Sequence, residues 1–383
     1  MEKKKYIALG LMSGTSMDGV DASIISSTDG IQYDEEFNGY FEYDKNLYKR
    51  LTNLRGKISV SKDLKKLSKE LKLLEKEITL FHAKVVNDVG HSVFQTNIPK
   101  PEIIGFHGQT IFHNPEEKIS VQLGDGKLLS QLTKKTVVYD FRKNDLKNGG
   151  QGAPLAPIFH QSIKNKINRG VELPVIFINI GGISNATCFY NHQESQTKMF
   201  AGDIGPGNCL IDDWIRKHSK KKYDKDGSIA RSGKINHLIL NQALDNFQFL
   251  TKGSLDIKDF DISFIKGLSI EDGASTLTNF TAELIAGGLS DLLHRNKQDW
   301  EIFPEIIICG GGRKNKYLME LLTQKLNIKN FFTIDQYNID GDFIESQAFA
   351  YLAIRSFLKL PISFPETTGC INPCTGGIIV KNF

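Results

Sequence analysis

The first 25 residues contain two short apolar runs separated by a polar turn. The runs cover residues 7–12 and 20–25, and the turn between them reads Ser13-Gly14-Thr15-Ser16-Met17-Asp18-Gly19. This pattern predicts a β-hairpin. Its tip carries two glycines, three hydroxyls and one carboxylate, so backbone N–H groups and hydroxyls can wrap an anion while Asp18 faces a metal ion. A tight hairpin that turns at Asp18-Gly19 explains the same residues without any ligand.

The rest of the chain alternates between strand and helix patterns. Apolar residues recur at steps of three and four from Ser61 to Val89, which predicts a long amphipathic helix with a solvated Lys/Glu face. The second half opens as the first does, with strand, Gly/Ser/Asn turn and strand over residues 174–190. Further strands are predicted at 32–43, 102–106, 136–141, 304–309 and 331–334, further helices at 153–166, 209–217, 272–292, 313–326 and 345–360, and an irregular tail after 361. The alternation predicts an α/β fold.

Polar residues stand where two of the predicted strands end. His107 and Gln109 follow the strand at 102–106, and Asp140 and Arg142 close the strand at 136–141. Ligands of α/β folds bind beyond the carboxyl ends of the strands, and donors and acceptors of this kind suit a sugar. The same side chains can also bridge a polar crevice that holds no ligand.

Glycine-rich turns follow strands in the second half. Gly181 and Gly182 form the turn of the second hairpin, and Asp203 lies in a Gly/Pro-rich turn that precedes the helix predicted at 209. A helix N-terminus behind such a turn favours anions, and Asp203 either points into that space or caps the turn. The three glycines 310–312, between a strand and a helix, allow a flat ligand or its phosphates to approach the backbone closely.

Length and composition restrict the class of protein. A chain of 383 residues exceeds the size of one hydrophobic core, which predicts two domains. The net charge of +4 is small and dispersed and gives no indication of a nucleic-acid partner. No apolar run approaches the ~18 residues of a membrane span. The five cysteines are odd in number and mostly far apart, which predicts a reduced, cytoplasmic protein. Cys370 and Cys374 lack a second cysteine pair that would complete a zinc site, so they are predicted to be packing residues.

Several nucleotide-binding classes lack their motifs here. Val20 stands where a P-loop would have its lysine, and the protein-kinase and dinucleotide-binding signatures are absent. Two glycine-polar hairpins in matching places of two halves, with a strand-Gly-Gly-Gly-helix segment later, resemble instead the superfamily of actin, sugar kinases and heat-shock ATPases. That resemblance implies a two-domain actin-like ATPase fold with mixed five-stranded sheets flanked by helices and an interdomain ATP cleft.

Seven motifs, in one order, resemble a single family within that superfamily, the anhydro-N-acetylmuramic acid kinases. They are GLMSGTSMDG (10–19), HGQT (107–110), DFR (140–142), GGQGAPL (149–155), NIGGISN (179–185), DIGPGN (203–208) and CGGG (309–312), with a looser match at 345–353 and 367–369. The resemblance implies one domain formed by residues 1–170 with 344–383 and a second formed by 171–343.

The resemblance also implies an activity and the roles of site residues. The activity is ATP-dependent conversion of 1,6-anhydro-N-acetylmuramic acid, a small-molecule sugar of cell-wall recycling, into N-acetylmuramic acid 6-phosphate. Asp203 is the expected general base, and Mg²⁺ is expected with the ATP, with Asp18 as its candidate contact. The ATP contacts expected are Ser13, Gly14, Thr15, Ser16, Met17, Asp18, Gly19, Val20, Gly181, Gly182, Gly310, Gly311 and Gly312, and the sugar contacts are His107, Gln109, Asp140 and Arg142.

The chain departs from the family pattern in two places, and two other functions stay open. Gly202 stands where the family usually has an aromatic residue, and residues 252–256 carry an extra glycine. One alternative is a kinase of the same fold for another anhydrosugar such as levoglucosan. The second is a non-catalytic ATP-binding sensor. The sequence leaves a homodimer as a possible assembly.

Overall fold

The structure is a computed structural model that describes residues 4–94, 96–167, 174–192, 196–247, 255–296, 304–328 and 330–383. The chain forms two compact units, Met1–Lys166 with Phe343–Phe383, and Ile167–Asp342. No helix in the described ranges has both the length and the apolar character needed to cross a membrane.

Strands and helices alternate as the sequence patterns predict. The strands are β1 Tyr6–Ser13, β2 Gly19–Ser27, β3 Asp34–Glu42, β4 Ile103–Asn114, β5 Ile119–Leu123, β6 Thr136–Tyr139, β7 Val175–Ile180, β8 Ile183–His192, β9 Gln196–Pro206, β10 Glu305–Cys309, β11 Phe331–Thr333 and β12 Ile378–Val380. The helices are α1 Lys45–Gly56, α2 Ser61–Lys66, α3 Ser68–Phe94, α4 Gly126–Thr133, α5 Lys143–Lys147, α6 Pro157–Ile167, α7 Cys209–His218, α8 Ser228–Ser232, α9 His237–Asn246, α10 Ile270–Arg295, α11 Lys316–Leu326, α12 Ile344–Phe357 and α13 Pro365–Thr368.

The two units share one sheet topology. In the second unit the strand order is β11-β10-β7-β8-β9, and in the first it is β12-β6-β4-β1-β2-β3 with β5 beside β4. Each sheet therefore has an antiparallel meander of three strands, β1-β2-β3 or β7-β8-β9, extended by two parallel strands. The predicted α/β actin-like fold is confirmed, and both predicted hairpins are present.

The structure corrects several predicted elements. The first sheet has two strands beyond the expected five, β5 and β12. Strand β12 and the short helix α13 lie in the tail predicted to be irregular. The helix predicted from Ser61 is two helices, α2 and α3, and α1 precedes them. Asp44 caps α1 by accepting from the Asn46 and Leu47 N–H groups, a start signal that apolar periodicity alone does not reveal.

Helices cover both faces of the first sheet. Side chains that alternate along β1, such as Leu9 and Leu11, are buried in a core with Leu51 of α1 and Leu74 of α3. The opposite face meets α12. There Gly10 and Gly105 are register partners on β1 and β4. A Cβ on Gly10 would lie 1.9 Å from the Ser346 carbonyl oxygen of α12, so the helix backbone rests directly on the glycines.

Gly105→Ala is expected to destabilise the protein by about 1–3 kcal/mol through overpacking. The added Cβ would lie 2.1 Å from the Phe349 carbonyl oxygen, and a helix backbone cannot rotate away as a side chain can. Urea unfolding measures the effect. Gly90→Ala is the matched control, because Gly90 is exposed within α3 and a Cβ there meets nothing within 4 Å. The control is expected to gain ~0.5–1 kcal/mol from helix propensity, and equal stability of the two variants would contradict this account.

Helices also cover the second sheet. Ile178 of β7, Ile306 of β10, Ile285 of α10 and Leu318 of α11 belong to one buried cluster. Helix α10 approaches β9 closely, since a Cβ on Gly288 would lie 1.9 Å from the Ile204 carbonyl oxygen. This packing fixes the strand that carries Asp203.

Candidate active site

The tip of the first hairpin is held by buried polar contacts beneath it. The Ser13 hydroxyl is buried, 2.7 Å from the Tyr43 hydroxyl and 3.3 Å from His82 Nε2. His82 Nδ1 lies 2.7 Å from the Ile78 carbonyl oxygen, which can only accept, so Nδ1 carries the proton and Nε2 accepts from Ser13. Burial lowers the pKa of His82 to about 4, which keeps the ring neutral. The Ser13 side chain therefore supports the tip, and its hydroxyl is already committed.

The tip itself combines buried and exposed residues. Met17 has a φ of 58°, and its side chain and that of Val20 are buried in the core. Thr15 and Ser16 are exposed. Of the residues expected to contact ATP here, Met17 and Val20 can do so only through the backbone, whereas Thr15 and Ser16 offer hydroxyls to solvent.

The tip also collects negative charge. The Ser16 hydroxyl donates to the Asp18 carboxylate at 2.5 Å, and the Tyr40 hydroxyl donates to the Asp18 carbonyl oxygen at 3.1 Å. The pKa of Tyr40 is raised first by burial and then by the charges of Asp18, Glu42 and Asp21. A half-buried carboxylate among hydroxyl oxygens has the hard donor chemistry that Mg²⁺ takes. The residues present therefore fit a magnesium ion.

Gln109 connects β4 to this tip, and both Gln109 and His107 lie inside that strand, which continues to Asn114 instead of ending before His107 as predicted. Its side chain is fully buried, and its Nε2 donates to the Gly14 carbonyl oxygen at 2.9 Å. Its Oε1 is buried without a hydrogen-bond partner among the described residues. A buried amide oxygen left unpaired costs about 1–3 kcal/mol, so this atom favours a ligand or water donor.

His107 and Arg142 meet as expected, and the contact fixes their roles. His107 Nδ1 lies 2.8 Å from the Gly108 carbonyl oxygen, and Nε2 lies 3.0 Å from Arg142 Nη2. A guanidinium only donates, so Nε2 accepts and Nδ1–H donates. Burial, and then the Arg142 charge, hold the pKa of His107 well below its usual range. Arg142 Nη1 also donates to the Gly152 carbonyl oxygen at 2.7 Å. His107 thus orients Arg142 as a neutral acceptor.

Asp140 is directed elsewhere. It has a φ of 57°, and its carboxylate lies 2.5 Å from Lys143 Nζ with 12% of the side chain exposed. The structure therefore joins His107 to Arg142 and Gln109 to Gly14, while Asp140 pairs with Lys143 within the same unit.

In the second unit, the turn of the second hairpin is buttressed by the start of α7. The Gly207 and Asn208 N–H groups donate to the Gly182 and Gly181 carbonyl oxygens, both at 2.8 Å. A Cβ on Gly207 would lie 2.2 Å from the Gly181 oxygen, so only glycine allows this approach. The bonds orient the Gly181-Gly182 turn through its carbonyls.

Asp203 lies in strand β9, not in the turn predicted from its glycine and proline neighbours. It pairs with Asn185 of β8 next to a register shift at Ser184 and Asn185. Its Oδ2 accepts from the Leu255 N–H at 2.7 Å. The segment 252–256 is thus linked to Asp203 through its described part, whereas residues 252–254, which include the extra glycine, lie outside the described residues. At Gly202, the other departure from the family pattern, an added Cβ would lie 3.1 Å from Leu292 Cδ1.

The Gly310–Gly312 segment is closely built against β7. Gly310 has a φ of +77°, and a Cβ there would lie 2.5 Å from Asn179 Oδ1. A Cβ on Gly312 would lie 2.2 Å from Ile180 Cγ2, whereas one on Gly311 meets nothing within 4 Å. Gly310 and Gly312 are therefore structural, and Gly311 is the one that faces open space.

Arg313 fixes this segment, a role that the sequence reasoning missed. Its side chain is 4% exposed and lies 2.6 Å from both Asp335 Oδ2 and Asp342 Oδ1. It also donates to the Gly310 carbonyl oxygen at 3.0 Å. The Arg313 hydrogen bond lowers the pKa of Asp335. The only sequence signal was an arginine directly after three glycines.

A cavity of about 270 Å³ adjoins Gly311 within the second unit. It lies between the start of α7, the residues before α8 and the start of α11, and most of its lining residues are polar or charged. Its lining residues are Asn208, Ile211, Asp212, Tyr223, Asp224, Asp226, Gly311, Lys314, Asn315 and Asp342. The volume is near the lower end of small-ligand sites. Carboxylate and amide oxygens can accept from hydroxyls or an amino group on a ligand.

Comparison with known proteins shows which proteins the whole chain is similar to. A family model described as anhydro-N-acetylmuramic acid kinase matches residues 5–382. The anhydro-N-acetylmuramic acid kinase of Pelagibacter ubique is 52% identical over 386 residues, covering 100% of both chains. That of Brucella canis is 39% identical over 380 residues, covering 98% of each. Among solved structures, a Schistosoma mansoni hexokinase complexed with glucose aligns with a TM-score of 0.42 and 9% identity, over 91% of this chain and 85% of that one.

Proposed function

Because the chain belongs to the anhydro-N-acetylmuramic acid kinase family, we propose that it uses ATP to convert 1,6-anhydro-N-acetylmuramic acid into N-acetylmuramic acid 6-phosphate. The observation that carries the proposal is Asp203, a half-buried carboxylate on β9 whose Oδ2 accepts from the Leu255 amide. A carboxylate held in place by strand packing and by a backbone N–H can act as the acceptor for a proton from water.

Asp203 acts as the general base in this proposal. It takes a proton from the water that attacks C1, the C1–O6 bond breaks, and O6 takes the γ-phosphoryl group as ADP leaves. Positioning the reactants in line accounts for much of the rate enhancement in enzymatic phosphoryl transfer. The protein therefore binds and orients the two substrates and removes a proton from the attacking water.

The first hairpin and Gly181-Gly182 hold the phosphates in this proposal. The charges of Asp18, Glu42 and Asp21 near Tyr40 would repel polyphosphate unless a cation accompanied it. Asp18 would hold Mg²⁺, directly or through water, with the Ser16 hydroxyl beside it. When bound, the ion supplies charge neutralisation on the phosphates.

The nucleoside occupies the cavity beside Gly311 in this proposal. Its oxygen-rich lining, with Asn208, Asp212 and Asp342 among the residues, accepts from ribose hydroxyls and an adenine amino group.

Arg142, held by His107 and Gly152, offers a cation to the sugar and its lactyl carboxylate. The Gln109 oxygen offers an acceptor to a sugar hydroxyl.

We also propose a reducing compartment such as the cytoplasm, because all five cysteines are free.

Incubation of the purified protein with Mg-ATP and either 1,6-anhydro-N-acetylmuramic acid or levoglucosan tests the proposed function. We expect a sugar 6-phosphate and ADP from the first substrate, because a cation such as Arg142 favours the lactyl carboxylate that levoglucosan lacks. Mass spectrometry in ¹⁸O-water checks the hydrolytic step, since one label should appear at C1. Turnover of levoglucosan alone would overturn the substrate assignment, and ATP binding without turnover of either sugar would favour a sensor.

A further inference from the structure

Three metal-ligating side chains meet in the first unit, and none of them is among the site residues assigned above. The carboxylate of Asp145 and the sulfurs of Cys370 and Cys374 offer ligand atoms that all lie within 4.8 Å of one another. Asp145 belongs to α5, whereas both cysteines belong to the segment that follows α13. Asp145 is 225 or more positions away from the two cysteines in the sequence. The tertiary fold, and not a local turn, therefore brings the carboxylate to the two thiols.

The Asp145 carboxylate is buried and has no cationic partner among the residues that the structure describes. It is 1% exposed, and it accepts from the Gly152 N–H and the Thr368 hydroxyl, both at 2.6 Å. Within the described ranges, no Lys, Arg or His forms an ion pair with it. A buried charge is normally paired or coordinates a metal, and ligating carboxylates are characteristically hydrogen-bonded by neighbours. The Asp145 carboxylate has the hydrogen bonds from neighbours that a metal-ligating carboxylate characteristically has.

The thiols are placed for the same ion. Cys370 is 1% exposed, and Cys374 lies 3.1 Å from the Ser363 hydroxyl. Zinc bonds sulfur at ~2.3 Å and carboxylate oxygen at ~2.0–2.2 Å, so tetrahedral ligand atoms lie roughly 3.3–3.9 Å apart. That spacing falls inside the observed limit of 4.8 Å. Sulfur ligands select zinc-class ions over Mg²⁺ and Ca²⁺.

We propose that Asp145, Cys370 and Cys374 bind one divalent cation of the zinc class. This revises the interpretation of the two cysteines as packing residues, which rested on the lack of a second cysteine pair. Asp145 supplies the missing ligand, from a place in the sequence that cysteine spacing cannot reveal. The fourth position is open to water.

The ion would fasten the C-terminal segment to the loop that holds Arg142. The Gln151 N–H donates to the Thr368 carbonyl oxygen at 2.8 Å, and the Ile371 N–H donates to that of Asn148 at 3.0 Å. The Gly152 N–H contacts Asp145, and the Gly152 carbonyl oxygen accepts from Arg142. A metal at Asp145 therefore stabilises the backbone on which Arg142 rests.

Zinc stoichiometry and cobalt spectroscopy on the full chain test the site. Protein kept reduced with a phosphine is loaded with Zn²⁺, desalted and assayed for zinc. We expect one ion per chain, a higher Tm with zinc than without, and a thiolate-to-metal charge-transfer band when Co²⁺ replaces it. Cys374→Ser, which keeps a hydroxyl for Ser363, and Asp145→Asn are each expected to weaken zinc binding at least about tenfold.

Cys188→Ala is the control, because Cys188 is a buried thiol in β8 of the other unit. It should retain the ion and the cobalt band. Substoichiometric zinc in the reduced wild type, or zinc bound equally well by Cys374→Ser and Asp145→Asn, overturns the proposal. These measurements need neither ATP nor sugar, so their failure is distinct from a failure of the proposed function.

Discussion

Asp203→Asn is expected to lower kcat by about 10²–10⁴-fold, the range that a general base contributes. The amide keeps the shape of the side chain and an oxygen that can accept from the Leu255 N–H, which now holds Oδ2 at 2.7 Å. It cannot take a proton from the attacking water. The fold and nucleotide affinity should therefore survive while turnover is lost.

Three measurements separate this role from a structural one. Turnover is followed by sugar phosphate release, ATP affinity by calorimetry, and stability by Tm. Asp213→Asn is the matched control: Asp213 lies on α7, its side chain is 40% exposed, and it pairs with Lys217 at 2.8 Å. Such a surface pair contributes little, so the control should behave as wild type. If Asp203→Asn retained turnover, or lost ATP affinity and Tm together with turnover, Asp203 would not be the base.

Local sequence pattern predicted the hairpins because their signals are local. The small polar tip between apolar runs led directly to β1 and β2, and the same pattern led to β7 and β8. His107 and Arg142 also meet, although His107 lies inside β4 and not at its end. The two hairpin inferences used residues within a few positions of one another, whereas His107 and Arg142 are 35 positions apart.

Features that depend on distant contacts could not be predicted in this way. Gly202, Gly205 and Pro206 are typical of a turn, yet pairing with β8 and the approach of α10 extend β9 through them. Ser13 has a hydroxyl of the kind that binds phosphate, yet this hydroxyl is hydrogen-bonded to Tyr43 and His82. In both cases the tertiary environment, absent from any sequence window, decides the role.

The three glycines at 310–312 are a further case in which tertiary contacts decide the role of each residue. Sequence treats them as equivalent, whereas the structure separates two that the backbone requires from one that faces a cavity. A Cβ on Gly310 or Gly312 would clash with Asn179 or Ile180, and Arg313 donates a hydrogen bond to the Gly310 carbonyl oxygen. Only Gly311 is therefore free to report on ligand binding.

Gly311→Phe is expected to weaken nucleotide binding at least about 100-fold, ~2.7 kcal/mol, without unfolding the protein. A Cβ at Gly311 meets nothing within 4 Å, so the backbone accepts a side chain. The ring would enter the cavity of about 270 Å³ and take the space that the nucleoside needs. Affinity for ATP is measured by calorimetry, and the sugar KM is measured at saturating ATP.

Gly56→Phe is the control for adding a large apolar side chain. Gly56 ends α1 in the first unit, is exposed, and likewise has nothing within 4 Å of an added Cβ. Its ATP affinity should equal that of wild type. If Gly311→Phe bound ATP as tightly as Gly56→Phe, the nucleoside would bind elsewhere and the cavity would lose its assignment. A fall in Tm confined to Gly311→Phe would instead give Gly311 the structural role of its two neighbours.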